Sequence, residues 1–203
     1  MNKKKSKFIF AFLILLILLV ILWMYESKII NNEKLLKKMY GEPIAEDGKI
    51  NNAYFGIEID GRDAKKTLVG INKAIEYASK NNIENIKLEK GTYIIDSQKD
   101  PKEYHYQEKG ITLKSNMKLD LNGSTIKHIE NNRISYSLIS IIAVDNISIS
   151  NGILEGDRIN HNYNNGTTNE FGHGIDLAGS QNIDIMNQKG IKTLDRYEND
   201  KII

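Results

Sequence analysis

The stretch "LISIIAVDNISISNG", residues 138–152, holds two short runs of alternating apolar and polar side chains joined at an asparagine. Such alternation belongs to a strand with one covered face. Two other segments can be laid over it: "GITLKSNMKLDLNG" at 110–123 and "GIDLAGSQNIDIMN" at 174–187. Each has a strand, a tight turn ending in Asn, a second strand and another Asn. The turn residues Asn116, Asn146 and Asn182 are spaced by 30 and 36, and "ENIKL" supplies an earlier equivalent at Asn85. A period of this size signals stacked supersecondary units.

Two arrangements fit such units. Paired hairpins need tight turns between strands of opposite direction. The alternative is an all-β solenoid, a right-handed parallel β-helix, in which each strand pairs with its equivalent one turn later and the apolar positions stack into an interior. The recurring Asn suits the second, because its amide reaches backbone or the Asn of the next turn and it tolerates left-handed geometry. Roughly four turns at about 4.8 Å each make a stack about 20 Å tall.

Working outward, "DGRDAKKTLVGINKAIEYASKNN" sets Leu68, Ile71, Ile75 and Ala78 on one helical face, with Asp63 as N-cap. A helix over 64–79 is placed to cap the amino-terminal end of the stack, where core and strand edges are otherwise exposed. At the amino terminus, Lys3, Lys4, Lys5 and Lys7 precede an uncharged apolar run, residues 8–25. As a helix it rises about 27 Å, against a hydrocarbon core of roughly 30 Å. Trp23 and Tyr25 sit where interfacial aromatics anchor, and the lysines place residues 1–7 in the cytoplasm. "WMYESK" offers no small-x-small cleavage site, so the segment reads as an uncleaved signal anchor. Residues 26–47 read as a stalk, with a short helix in "NNEKLLKKMY" broken at "GEP". The folded domain then spans 48–203, outside the cell.

The balance of 28 Lys+Arg to 26 Asp+Glu leaves no basic excess for nucleic acid. Without cysteine there is neither a disulfide framework nor a thiolate metal site.

In order and spacing, "IDGRDAKKTLVGINKAIEYA", "IKLEKGTYII", "SNMKLDLNGSTI", "NGILEGDRINH" and "FGHGIDLAGSQNIDI" resemble the pectate lyase-like superfamily. The nearest likeness is the rhamnogalacturonase and epimerase-type pectate lyase domain, over residues 55–187. That resemblance implies a right-handed β-helix acting on acidic or neutral polysaccharide as hydrolase, lyase or epimerase. Similar hydrolases carry a Gly-Asp element in the turn after "GIDLAGSQNIDIMN". Here the sequence reads "QKGIKTLDRYENDKII", so the expectation is the front part of a longer β-helix.

Glycoside hydrolysis needs a carboxylic acid and a carboxylate. The polar stretch 156–185 offers Asp157, Glu170 and His173 as catalytic candidates, with Arg158, His161 and Asp176 as substrate contacts. The plainer readings are a surface Asp157–Arg158 ion pair, a solvated loop acid at Glu170, an outward strand position at Asp176 and a turn histidine at His173. His105 and His128 read as surface residues. No cofactor is expected, although a lyase would use Ca²⁺ to neutralise a uronate. The spacing of His161, Glu170 and His173 matches no compact zinc motif. The remaining function classes are a non-catalytic glycan-binding module and an inactive truncated gene product.

Overall fold

The computed structural model describes residues 3–59, 61–98, 108–165 and 170–191. Asp60, His105 and the segment after Ile191 lie outside them. The chain divides into two compact units, Met1–Gly41 and Glu42–Ile203.

The first unit is one helix, α1, Lys3–Tyr40. It is long and apolar enough to cross a membrane. The expected break into anchor and stalk is absent. Residues 26–40 contain neither Gly nor Pro and are rich in Leu, Lys, Glu and Met, all good helix formers, so the helix runs on. It stops at Gly41, whose φ of 84° is the left-handed conformation that closes helices.

The second unit starts earlier than Gly48. The Asn51 amide donates to the Pro43 carbonyl at 2.9 Å, and Ile44 bridges Ile50, so 42–47 is part of the fold. Gly48 is required: a Cβ there would lie 2.5 Å from the Asn85 carbonyl oxygen. A four-residue helix α2, Asn52–Phe55, follows, then α3, Ala64–Lys80. The Asp63 carboxylate caps α3 by accepting from the Lys66 amide at 2.9 Å. Leu68, Ile71, Ala74, Ile75 and Ala78 form its buried face, as the spacing predicts.

Eight strands follow: β1 Asn85–Lys87, β2 Thr92–Ile95, β3 Ile111–Thr112, β4 Met117–His128, β5 Ser135–Ile142, β6 Ile147–Glu155, β7 Phe171–Ala178 and β8 Ile183–Ile191. They form two sheets. One has the order β1-β4-β6-β8, with β2 pairing the second half of β4; the other is β3-β5-β7. Every pairing between named strands is parallel. From β2 onward the chain therefore visits the sheets alternately, and no two consecutive strands form a hairpin.

Two asparagine ladders mark the turns. Asn116, Asn146 and Asn182 each take a positive φ, 62°, 61° and 55°. The Asn146 amide donates to Asn116 Oδ1 at 2.7 Å, and that of Asn182 to Asn146 Oδ1 at 2.9 Å. Asn122, Asn151 and Asn187 bend β4, β6 and β8 at the same relative place, again with positive φ. Asn85 is not in the first ladder. It pairs with Lys118, two residues beyond Asn116, and the left-handed turn before β1 belongs to Asn82. The stretch "NNIEN" contains three asparagines, and only the register tells which one turns.

Asn146→Ala both strains a left-handed residue and removes two ladder bonds, so a loss of about 1–2 kcal/mol in unfolding free energy is expected. Asn146→Gly keeps the backbone geometry and loses only the bonds. Chemical denaturation of the two variants separates the contributions; equal stability of Ala and wild type would remove the ladder's energetic role.

Between the sheets, Met117, Leu119, Leu121, Ile126, Ile139, Ile141, Ile147 and Ile149 are buried together with the face of α3. Each such side chain contributes about 1.5–3 kcal/mol when removed from water. The amino-terminal edges of β1 and β3 are covered. Residues 48–50 pair in parallel with β1, the Ile50 amide donating to Lys87 O at 2.9 Å. Asn72 of α3 imitates a strand beside β3, accepting from the Thr112 amide at 2.9 Å and donating to Gly110 O at 3.2 Å. At the other end β7 and β8 are the outermost strands among the described residues. Ile141 and Ile149 are fully buried, whereas their register partners Leu177 and Ile185 are 51% and 41% exposed.

Candidate functional site

Two connections meet beside the ends of β4 and β6. One is the link 129–134 between β4 and β5; the other is the loop 156–165 after β6, which ends in a 3-10 turn, Tyr163–Asn165. A hydrogen bond from the Asn162 amide to Asn131 O at 2.9 Å joins them.

Asp157 ties both connections to β5. Its side chain is completely buried, which overturns the surface position expected for an ion pair with Arg158. Oδ1 accepts from the Tyr136 hydroxyl at 2.8 Å. Oδ2 accepts from Asn131 Nδ2 at 2.6 Å, from the Asn131 amide at 3.2 Å and from His161 Nδ1 at 2.8 Å. The Asp157 amide in turn donates to the Tyr136 oxygen at 3.1 Å. Four donors saturate the carboxylate. Its lone pairs are spent on the protein, so it holds the loop. His161 is likewise buried, donating through Nδ1, and its Nε2 has no hydrogen-bond partner among the described residues.

His128 corrects the surface reading. It is fully buried and stacks on Tyr136, with centroids 3.9 Å apart. The strand alternation explains this: after the corner at Asn122, Ser124, Ile126 and His128 all face inward. Burial pushes the imidazole below its ordinary value, and the Ile129 carbonyl and Asp157 oppose that without offsetting it.

The network forms one wall of a half-open cavity of about 110 Å³ lined by Lys127, His128, Glu130, Glu155, Gly156, Asp157, Ile159 and Asn160. Lys127 and Glu155 are register partners on β4 and β6 and form an ion pair at 2.8 Å. Asn160 donates to Glu130 Oε1 at 2.5 Å. Behind the wall, Arg133 Nη1 reaches Asp96 Oδ1 at 2.6 Å, Glu108 Oε2 at 2.9 Å and Ser97 O at 3.0 Å, fastening the link to the segment after β2.

Of the six residues chosen from sequence, the structure brings Asp157 and His161 into contact. Arg158 lies beside them on the loop, exposed. The other three belong to the second sheet. Glu170 is an exposed residue of the turn before β7; His173 and Asp176 are half-buried on β7, in register with Ser137 and Ser140 of β5. Among the described residues no group of three or more His, Asp and Glu side chains could hold a metal ion. Sequence reasoning missed Lys127, Glu130, Glu155 and Asn160. Only the register of β4 against β6 pairs Lys127 with Glu155, and the available signal was the superposition of "STIKH" on "GILEG".

No family model matches the chain. It is similar to the SPbeta prophage-derived uncharacterized protein YorA of Bacillus subtilis (strain 168), with 34% identity over 143 residues, which covers 66% of this chain and 24% of that protein. It is also similar to the uncharacterized protein YclG of the same strain, with 29% identity over 139 residues and the same coverage, 66% and 24%. The chain thus spans about a quarter of the length of the curated relatives it matches.

Proposed function

We propose that the protein is a right-handed parallel β-helix of the polysaccharide-active kind, held at the outer face of a cell membrane by α1, whose cleft binds sugar. Its lysine-rich amino terminus lies in the cytoplasm on this reading. Alternate visits to two parallel sheets, with asparagine ladders at the turns, support the solenoid. The observation that carries the binding role is the cavity between the 129–134 link and the 156–165 loop, with amide, carboxylate and ammonium groups on its wall. Sugar hydroxyls are matched by such groups.

Binding fits this wall better than cleavage. Asp157 is saturated, Glu155 is engaged by Lys127, and Glu130 by Asn160. No carboxyl in that set is left in the two-role arrangement that hydrolysis demands. Two acidic groups against one already-paired lysine also disfavour a polyuronate, so the favoured ligand is a neutral or amino-sugar polymer.

The full chain in detergent micelles, passed over immobilised polysaccharides, tests this. Retention on a neutral or amino-sugar polymer is expected, without new reducing ends or ultraviolet absorbance from unsaturated uronates. Asn160→Ala is expected to weaken retention about tenfold, the worth of one good hydrogen bond. Release of products would make the protein an enzyme, and absence of retention on every polymer would end the sugar reading.

A further inference from the structure

We infer that His128 is a proton-operated latch on the cleft: neutral, it holds the 129–134 link against Ser97, and charged, it lets that link go. The sugar-binding reading supplies only what the latch regulates; the latch itself stands on its own geometry.

Both ring nitrogens are used, and only the neutral ring can use them so. Nδ1 lies 2.7 Å from the Ile129 carbonyl oxygen, which can only accept. Nε2 lies 3.3 Å from the Ser97 amide nitrogen, which can only donate. Together the two contacts assign the single proton to Nδ1; the neighbouring Asn131 Nδ2 does not compete for its lone pair, because its two hydrogens go to Ile129 O and Asp157 Oδ2. A second proton, on Nε2, sets N–H against N–H in a fully buried place. The ring or Ser97 must then move, because an unmatched buried donor pair is costly.

The surrounding charges do not reverse this. Asp157 and Asp96 favour the cation, Arg133 opposes it, and Tyr136 offers a ring face. Asp157 is already saturated by Tyr136, Asn131 and His161; Asp96 is engaged by Arg133, with Lys65 3.9 Å away. Glu130 is occupied by Asn160, and Lys127 by Glu155. Burial dominates and favours the neutral form.

Motion at His128 reaches the cleft directly. His128 and Glu130 line the cavity, and Asn131, 3.0 Å from His128 Nδ1, bonds Asp157, which lines it too. The sign follows from linkage. Unfolded or released chain takes the proton near the ordinary value of 6.5, and the folded ring only at lower pH. The latched state therefore holds in full above that value and weakens as pH falls through it.

The test is amide hydrogen exchange of the full chain in detergent micelles at about pH 7.5 and about pH 5, corrected for intrinsic exchange, beside proton NMR titration of the histidine C2–H resonances. Exchange of amides 131–136 is expected to speed up about tenfold or more at the lower pH, with Leu119 and Ile149 unchanged. His128→Gln, which keeps an acceptor but cannot titrate, is expected to abolish the pH effect. A His128 ring already charged at neutral pH overturns the latch. So does a ring that titrates with no change in exchange, or a His128→Gln protein that keeps the pH effect. Should His128→Gln fail to fold, ring titration and wild-type exchange decide alone. Retention on polysaccharide, followed over the same range, separates the two readings. Exchange that responds to pH without retention at any pH keeps the latch and discards the sugar.

Discussion

Asp157→Ala lowers the unfolding free energy of the second unit by about 3–5 kcal/mol, the cost of breaking a buried charged network by removing one member. The carboxylate serves the Tyr136 hydroxyl, two donors of Asn131 and His161 Nδ1. Its removal strands the Tyr136 hydroxyl and His161 Nδ1 away from water and takes two bonds from the part-buried Asn131. Asp157→Asn fares little better, because its amide turns a donor toward donors. Chemical denaturation of the full chain in micelles, followed by near-ultraviolet circular dichroism of the tyrosines, measures the loss. An Asn variant as stable as wild type would mean that the negative charge holds nothing. The prediction also divides structure from catalysis: if Asp157 were a substrate carboxylate in an open site, its substitution would leave stability almost unchanged and alter only activity.

The second large effect is steric. Gly110→Ala is expected to cost about 3 kcal/mol, at the upper end of overpacking. A Cβ at 110 would lie 2.2 Å from the Leu138 carbonyl oxygen and 2.5 Å from that of Ser137. Both obstacles are backbone of β5, held on its other edge by β7, and neither can swing aside as a side chain would. The same residue presents its carbonyl to Asn72 of α3, so forcing it outward also loosens the cap on β3. A contrasting site is Gly123, where the nearest atom to a new Cβ is the flexible Lys90 Cε at 3.8 Å. There the cost of Ala comes only from the left-handed φ of 72°. A drop in thermal midpoint several-fold larger for Gly110→Ala than for Gly123→Ala is the expected readout; equal drops would refute the close approach.

Much of the scaffold was legible because it repeats. Period-two alternation put Met117, Leu119, Ile147 and Ile149 inside, and each is buried. The superposition of three segments picked out Asn116, Asn146 and Asn182, which bond one another across the strands. Asp63 and the spacing of Leu68, Ile71, Ile75 and Ala78 gave α3 to within a residue of its end. Where the repeat was imperfect, reading failed. The strand pattern of "ENIKL" points to Asn85, yet backbone register gives the left-handed turn to Asn82. The stalk was split from the anchor by a change in polarity, although helix continuity depends on Gly and Pro, and neither appears before Gly41.

The site was legible as a region and not as a mechanism. Asp157 and His161 were found because acidic and imidazole groups crowd one loop, but composition cannot tell a saturated buried carboxylate from a reactive one. That depends on Tyr136 and Asn131, which are 21 and 26 residues away in sequence from Asp157. Glu170, His173 and Asp176 join the same cluster only by proximity along the chain. The strand β7 carries the last two into the other sheet, opposite Ser137 and Ser140.

By itself, the sequence determined the apolar amino-terminal helix, the capping helix, the strands and their inward faces, since each is set by local periodicity and local backbone preference. Tertiary structure alone decided which side chains meet across levels. Parallel stacking brings residues about thirty positions apart to within bonding distance: Lys127 to Glu155, Asn116 to Asn146. It also buried His128 and Asp157, whose polarity had placed them outside. A polar residue's burial depends on whether distant partners satisfy its hydrogen bonds, and no local pattern encodes those partners.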